Sequence, residues 1–305
     1  VDYQWASSAE RLIVGMILRS ATTGNQLMHR ILVASDFSSG AAAALQRARS
    51  LASLNCAELD LVHIDARRDG ETDRVRAANN LKAMAEGEGS SFPCIVRVRT
   101  HLTTGEPARC IAEIAEAHDA DLILLGAHNR DGWKEKLFPT VAEQLLRLTH
   151  RPLLVVRRFS ETPYHRLLAA VADDALAEAT LDLALSVTSV RELVAVRAFV
   201  PSLRDRLLAG GDVGRIWRDK QDLLESTLQE VAAQYSHLSF SMNAIVVDGD
   251  TIEVLRQAER DFSPDLTVLA THARRRLTKA LAGSIADTLI EEGDLDLLLQ
   301  ASIPD

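Results

Sequence analysis

The sequence is short of several residue types and patterns, and each shortage closes off a class of protein. Of 305 residues only three are cysteines, Cys56, Cys94 and Cys110, far apart, odd in number and without a Cys-x-x-Cys pair. That excludes a disulfide framework and a cysteine-built zinc site, and it suits a reducing cytoplasm. Basic residues are outnumbered, 34 Lys and Arg against 43 Asp and Glu, for a formal charge of −9 and a pI near 5.5. A phosphate backbone or an anionic membrane surface attracts the opposite balance, so neither nucleic acid nor membrane is expected as a partner. The longest apolar run near the start, Leu12 to Leu18, is about a third of a bilayer span and lacks a small-residue cleavage site. Neither a signal peptide nor an anchor is therefore expected. There is no Gly-x-x-x-x-Gly-Lys-Ser/Thr loop, no Gly-x-Gly-x-x-Gly fingerprint, no His-Glu-x-x-His and no acidic cluster at metal-ligand spacing. No Ser/His/Asp set emerges from the spacing either, so no catalytic residue and no metal ligand is assigned.

What is present is ordinary core material, 47 % apolar and 25 % charged residues, enough for two domains. The chain also repeats itself. Residues 105–154 align with 249–298 at an offset of 144, with eleven identities, including Gly105/Gly249, Asp121/Asp265, His128/His272 and Arg130/Arg274. Residues 29–51 align with 165–187 at an offset of 136, with nine identities, among them His29/His165 and Arg30/Arg166. The difference of eight places a longer middle segment in the second copy, between about Val196 and Ala244. The chain is thus read as residues 1–28, an N-terminal extension, then 29–159 and 160–305, two copies of one domain. Two readings of the extension stand: an initiator placed upstream of a working Met28, or a real helix over Ala9 to Arg19.

Within each copy short apolar runs alternate with helical spacing. Strands are expected at Arg30–Ser35, Leu59–Ile64, Ile95–Thr100, Asp121–Leu125 and Leu153–Val156. Helices are expected at Gly40–Asn55, capped by Ser38 or Ser39, and at Arg74–Glu86, Pro107–His118 and Thr140–Leu148. The second copy offers strands at Leu167–Val171, Leu193–Val196, Phe240–Val246, Leu266–Leu269 and Leu297–Leu299. Such alternation means right-handed βαβ units and a parallel sheet, an α/β fold of Rossmann-like type. Ligands bind such sheets beyond the carboxyl ends of the strands, where strand order reverses. There the first copy carries Asp36, able to accept from an adenine amino group or a ribose hydroxyl. Gly126 permits a turn and a close backbone approach. Thr140 opens a helix whose N-terminus suits phosphate.

At these residues the chain resembles the tandem universal stress proteins. The resemblance rests on Val33-Ala34-Ser35-Asp36-Phe37-Ser38, Leu61-Val62-His63-Ile64, Gly105-Glu106-Pro107 and Ala120-Asp121-Leu122-Ile123-Leu124-Leu125-Gly126. It implies two five-stranded parallel sheets in the order 3-2-1-4-5, flanked by helices, in a cytoplasmic stress protein that acts by binding rather than catalysis. It further implies an adenine nucleotide, ATP or a relative, in the first domain: Ala34, Asp36 and Ile64 around the base, Gly126 and Asn129 by the ribose, Thr140 and Val141 at the phosphates. Arg130 is then within reach of a phosphate oxygen. Two departures bear on that site, and more on its counterpart. Asn129 and Pro139 replace two glycines of the nucleotide-binding pattern, and Pro139 lacks an N–H. In the second copy Ala172 stands for Asp36, and Ala270 and Ala273 for the first two glycines, while Gly283-Ser284 survive, so that site is expected to be degenerate.

Relatives of one domain pair through their last strands, so Leu153–Val156 is expected to meet Leu297–Leu299 inside one chain, an internal pseudo-dimer that can pair again as a homodimer. Asp296 and Gln300 are expected to make that edge polar. His63, His128 and His272 are read as structural. Arg274-Arg275-Arg276 with Lys279, the one basic cluster, reads as a solvated loop or as an anion site rebuilt from side chains. Two other functions remain open, a protein-interaction module without nucleotide and a slow nucleotide phosphohydrolase using His128 and Arg130.

Overall fold

In a computed structural model, residues 28–65, 71–86, 96–127, 140–158, 160, 162–187, 190–202, 212–236, 238–272 and 285–302 are described. The first half runs β1 (Arg30–Ala34), α1 (Ser39–Asn55), β2 (Glu58–Asp65), α2 (Glu71–Glu86), β3 (Val98–Thr104), α3 (Pro107–Ala117), β4 (Leu122–Gly126), α4 (Val141–Leu148) and β5 (Leu153–Val156). The second half runs β6 (Arg166–Ala170), α5 (Asp174–Val187), β7 (Glu192–Ala198), α6 (Val213–Gln234), β8 (Ser241–Val247), α7 (Thr251–Phe262), β9 (Leu266–His272), α8 (Ile285–Glu292) and β10 (Asp296–Ser302).

All ten strands form one sheet in the order β3-β2-β1-β4-β5-β10-β9-β6-β7-β8. Each half therefore has the expected 3-2-1-4-5 arrangement, parallel throughout. Among the described residues, the sole antiparallel pair joins the halves: Leu297, Leu298 and Leu299 of β10 face Val155, Leu154 and Leu153 of β5. Covering this edge removes a row of unpaired backbone groups that would otherwise invite another chain.

The central strands are apolar on both faces because helices cover both. One face packs α1 and α2 with α5 and α6; the other packs α3 and α4 with α7 and α8. Helix α1 lies close to the sheet because Ala41, Ala44, Ala48 and Ala52 form its buried side. Ser38 caps it by accepting from the Ala41 N–H at 3.1 Å. Several repeat identities turn out to be framework. Gly105 and Gly249 hold φ of 152° and 143°, which side chains rarely adopt. Asp121 accepts from the N–H groups of His29 and Arg30 at 2.7 and 2.9 Å, and Asp265 accepts from His165 and Arg166 at 2.9 Å each.

Two expectations are corrected and one is sharpened. β3 lies at Val98–Thr104 and not at Ile95–Thr100. An edge strand has one neighbour and a half-wet face, so His101, Thr103 and Thr104 continue it where their polarity suggested a loop. Asp296, expected to make a covered edge polar, does so from inside: it is 3 % exposed and clasps the other half. Cys56, after α1, is disulfide-bonded, whereas the spacing of the cysteines suggested reduced thiols; Cys110 is free. Among the described residues, no helix is long and apolar enough to cross a membrane.

Candidate functional site

The strand order reverses between β1 and β4, and six of the eight residues expected to bind nucleotide, Ala34, Asp36, Ile64, Gly126, Thr140 and Val141, are described, each at or next to a strand end or a helix start. Ala34 ends β1 and is paired with Val62 on one side and Leu125 on the other. Ile64 belongs to the neighbouring β2, and both side chains are half-buried against the α3 face of the core. Asp36 follows as an exposed residue whose carboxylate accepts from the Ser38 N–H at 2.9 Å, turning the chain into α1. Next to it Phe37 takes φ 65° and lies against the His63 ring, 4.2 Å between centroids. The Nδ1 of His63 stands 2.7 Å from the Ser35 carbonyl, which fixes the imidazole in a packing role.

Gly126 closes β4. A Cβ there would stand 2.1 Å from the Gly40 carbonyl carbon, and one on Gly40 would stand 2.7 Å from the Ala127 carbonyl oxygen. The close approach that this glycine permits is thus already used, by the N-terminus of α1. Thr140 and Val141 stand at the start of α4. Thr140 makes a reciprocal cap: its hydroxyl accepts from the Glu143 N–H at 3.1 Å, and its own N–H donates to the Glu143 carboxylate at 2.8 Å. The N–H groups of Val141 and Ala142 have no acceptor within the helix by position, and the hydroxyl keeps its proton to give. Asn129 and Arg130 lie outside the described residues, as do His128, Pro139, Arg274 to Arg276, Lys279, Gly283 and Ser284, with the side chain of His272.

At the matching edge of the second half the chemistry differs. Val171 repeats the Ser35 contact, donating to Val196 at 2.9 Å as Ser35 donates to Val62 at 2.8 Å. Beyond it Ala172 offers no carboxylate, and the Asp173 carboxylate accepts from the Leu176 N–H at 3.0 Å. Arg197, one residue past Val196 as His63 is past Val62, is 6 % exposed and pairs with Asp174, which also takes Lys220 from α6. Burial holds the Arg197 pKa below its usual value, against the pull of Asp173. Phe199 and Trp217 meet edge to face at 5.5 Å beside this group. The longer middle segment thus supplies α6, which ties down the start of α5. In place of the glycine contact stand Leu176 and Ala270, and the Ala270 N–H donates to Thr180 at 3.3 Å.

A second polar constellation sits at the opposite, amino edge of the first half, and sequence spacing did not reveal it. Asp60 on β2 has a side chain with no solvent exposure. It takes Nε2 of His101, on β3, at 2.9 Å and Nδ1 of His118, after α3, at 3.1 Å. Arg99 Nε donates to it at 3.1 Å and Arg30 Nε lies 3.8 Å away. Burial by itself raises the Asp60 pKa; the two histidine hydrogen bonds and the Arg99 charge outweigh it and hold the carboxyl below its usual range. The outermost two, Asp60 and His118, lie 58 positions apart, and the parallel register of β2 and β3 together with the packing of α3 brings the three together.

A doubly wound parallel sheet with a helix N-terminus and a carboxylate at its switch point defines a nucleotide-type α/β fold, here present twice in one chain. The universal stress protein family model matches residues 28–157 and again 163–299, and the chain belongs to that family. It is 37 % identical to universal stress protein MJ0531 of Methanocaldococcus jannaschii over 82 residues, 27 % of this chain and 45 % of that one. It is 27 % identical to MJ0577 of the same organism over 153 residues, 42 % of this chain and 94 % of that one. The chain therefore spans about half of the first relative. Across both halves its fold matches a universal stress protein of Archaeoglobus fulgidus DSM 4304 with a TM-score of 0.66 at 13 % identity, covering 90 % of this chain and 96 % of that one. Protein PA1789 of Pseudomonas aeruginosa PAO1, described as functionally unknown, matches with a TM-score of 0.58 at 21 % identity, covering 92 % and 94 %.

Proposed function

We propose that this chain is a cytoplasmic stress protein that acts by binding an adenine nucleotide such as ATP in its first domain, residues 29–159, without turning it over. What supports the reading is that Ala34, Asp36 and Ile64 lie at or just past the ends of β1 and β2 at the switch-point edge, and that Thr140 and Val141 open α4, the helix that follows β4. Asp36 accepts from the base or ribose, the half-buried Ala34 and Ile64 offer an apolar floor, and the start of α4 offers a hydroxyl and two N–H groups to phosphate. Asn129 and Arg130 complete the site in this proposal. The second domain, residues 160–305, has lost the carboxylate and filled the same edge with the Arg197–Asp174–Lys220 group, so it holds the pair together and binds no nucleotide. With β5 and β10 consumed by each other, any homodimer uses another surface.

The test is to denature freshly purified protein without prior dialysis and identify the released small molecules by mass spectrometry. About one adenine nucleotide per chain, lost in Asp36→Ala, is expected. No released ligand, together with no heat on titration with ATP, overturns the proposal and leaves the protein-interaction reading in its place.

A further inference from the structure

The Asp60 constellation stands out because the duplicated half does without it. Register fixes the counterparts. Leu32 faces Asp60 as Leu168 faces Val194, and Val62 faces His101 as Val196 faces Ile245. Asp60 faces Arg99 as Val194 faces Asn243. His118 follows α3 where Phe262, at the same repeat position, ends α7. Asp60, His101 and His118 thus correspond to Val194, Ile245 and Phe262, which line an open groove of about 1070 Å³. The same architecture forms with an apolar set, so it does not require a buried carboxylate, whose desolvation is costly. The framework around it is kept, for Arg30 pairs with Glu58 at 2.6 Å as Arg166 pairs with Glu192 at 3.2 Å.

We propose that Asp60, His101 and His118 form a binding site for a first-row divalent metal of the zinc type. One carboxylate oxygen and two imidazole nitrogens, all within 4.8 Å of one another, are the donor set such ions prefer. His101 Nε2 stands 2.9 Å from one carboxylate oxygen and His118 Nδ1 3.1 Å from the other, and bonds of about 2.0–2.1 Å to a common tetrahedral centre need about 3.3 Å between ligand atoms, so the rings turn to share one oxygen. The histidine side chains are 28 % and 31 % exposed, so the ion enters from solvent and keeps water in its fourth position. Without metal the ring N–H groups donate to Asp60; with metal those protons move to the outer ring nitrogens. Arg99 Nε holds the carboxylate from behind, the outer contact that ligating carboxylates commonly have. The guanidinium charges of Arg99 and Arg30 weaken any purely ionic site. They therefore favour ions that gain most from imidazole, zinc, cobalt or nickel, over magnesium and calcium. The site lies at the amino edge of the sheet and does not depend on nucleotide binding at the other edge.

The test uses the full chain, stripped with a chelator and equilibrated by dialysis with micromolar zinc chloride alone, then with magnesium chloride. His101→Gln, His118→Gln and the double variant are run in parallel, with circular dichroism to confirm folding. One zinc per chain beyond the double variant, affinity lower by about tenfold or more in each single variant, and no magnesium are expected. Cobalt in the unaltered chain supplies a readout free of mutation, visible absorption bands of a four-coordinate site that zinc bleaches. Zinc retained equally by the folded double variant, or no zinc and no cobalt bands in the unaltered chain, overturns the proposal.

Discussion

The hydroxyl of Tyr164 donates to the carboxylate of Asp296, 132 residues further along the chain, beside the seam between the two halves. Both are buried. Asp296 also accepts from the N–H groups of Arg157 and Arg158 at 2.7 and 3.2 Å, and Arg47 stands 3.9 Å away. The Arg47 guanidinium lies 4.0 Å over the Tyr164 ring and donates to the Thr162 carbonyl at 2.6 Å. One carboxylate thus ties α1, the linker and β10 together where the halves pair.

Removing that carboxylate leaves a buried guanidinium and several N–H groups without their acceptor. Asp296→Ala is expected to cost about 3–5 kcal/mol, and Tyr164→Phe, which removes one donor to a charged acceptor, about 1.5–3 kcal/mol. Urea unfolding of both variants checks this. Equal small losses in the two would mean that the seam is held by β5 and β10 alone.

The tyrosines report on the same seam at high pH. Burial, then the Asp296 charge, pushes the Tyr164 phenol well above its usual value. Burial and the hydrogen bond to Asp182 push up Tyr235, which donates to that carboxylate at 2.6 Å. Unfolded phenols ionise near 10, so the stability from keeping these two neutral is full below about pH 10 and is lost as pH rises toward their folded values. Of three tyrosines, at most one is expected to ionise near pH 10 in the folded protein, read as phenolate absorbance near 295 nm. The other two are expected to appear together with loss of the circular dichroism signal. Two or more phenols titrating near pH 10 with the fold intact would contradict this.

Gly126 and Gly40 predict a sharp asymmetry between the halves. Gly126→Ala drives a methyl into the Gly40 backbone, which no rotamer relieves, and is expected to cost about 1–3 kcal/mol or more by thermal or urea unfolding. Ala270, its repeat counterpart, already carries that methyl, because α5 meets β9 through Leu176 and Thr180. Ala270→Gly is expected to cost no more than about 1 kcal/mol.

Much of the architecture was legible in the residues. Apolar runs such as Ile31–Val33 and Leu153–Val156, spaced by alanine-rich helical segments, determine buried parallel strands, because nothing else satisfies a backbone whose side chains all avoid water. The repeat offsets determine that the fold occurs twice, and the family resemblance pointed to β5 and β10 as the edges that meet. Asp36 and Thr140 followed from the same alternation, since strand ends and helix starts are local features, whereas Ala34 and Ile64 came from the family resemblance.

Tertiary structure alone decided the rest. Which partners a carboxylate meets depends on what packs over it, so Asp296 read only as a polar residue on a covered edge and is a buried clasp. Gly126 read as room for a ligand, and its backbone approach is taken by Gly40, 86 positions earlier. Asp60, His101 and His118 share no spacing, because strand register couples residues by position in the sheet and not by distance along the chain. Their meeting is a property of the fold, and the apolar trio in the same place of the second half marks it as an addition to the framework.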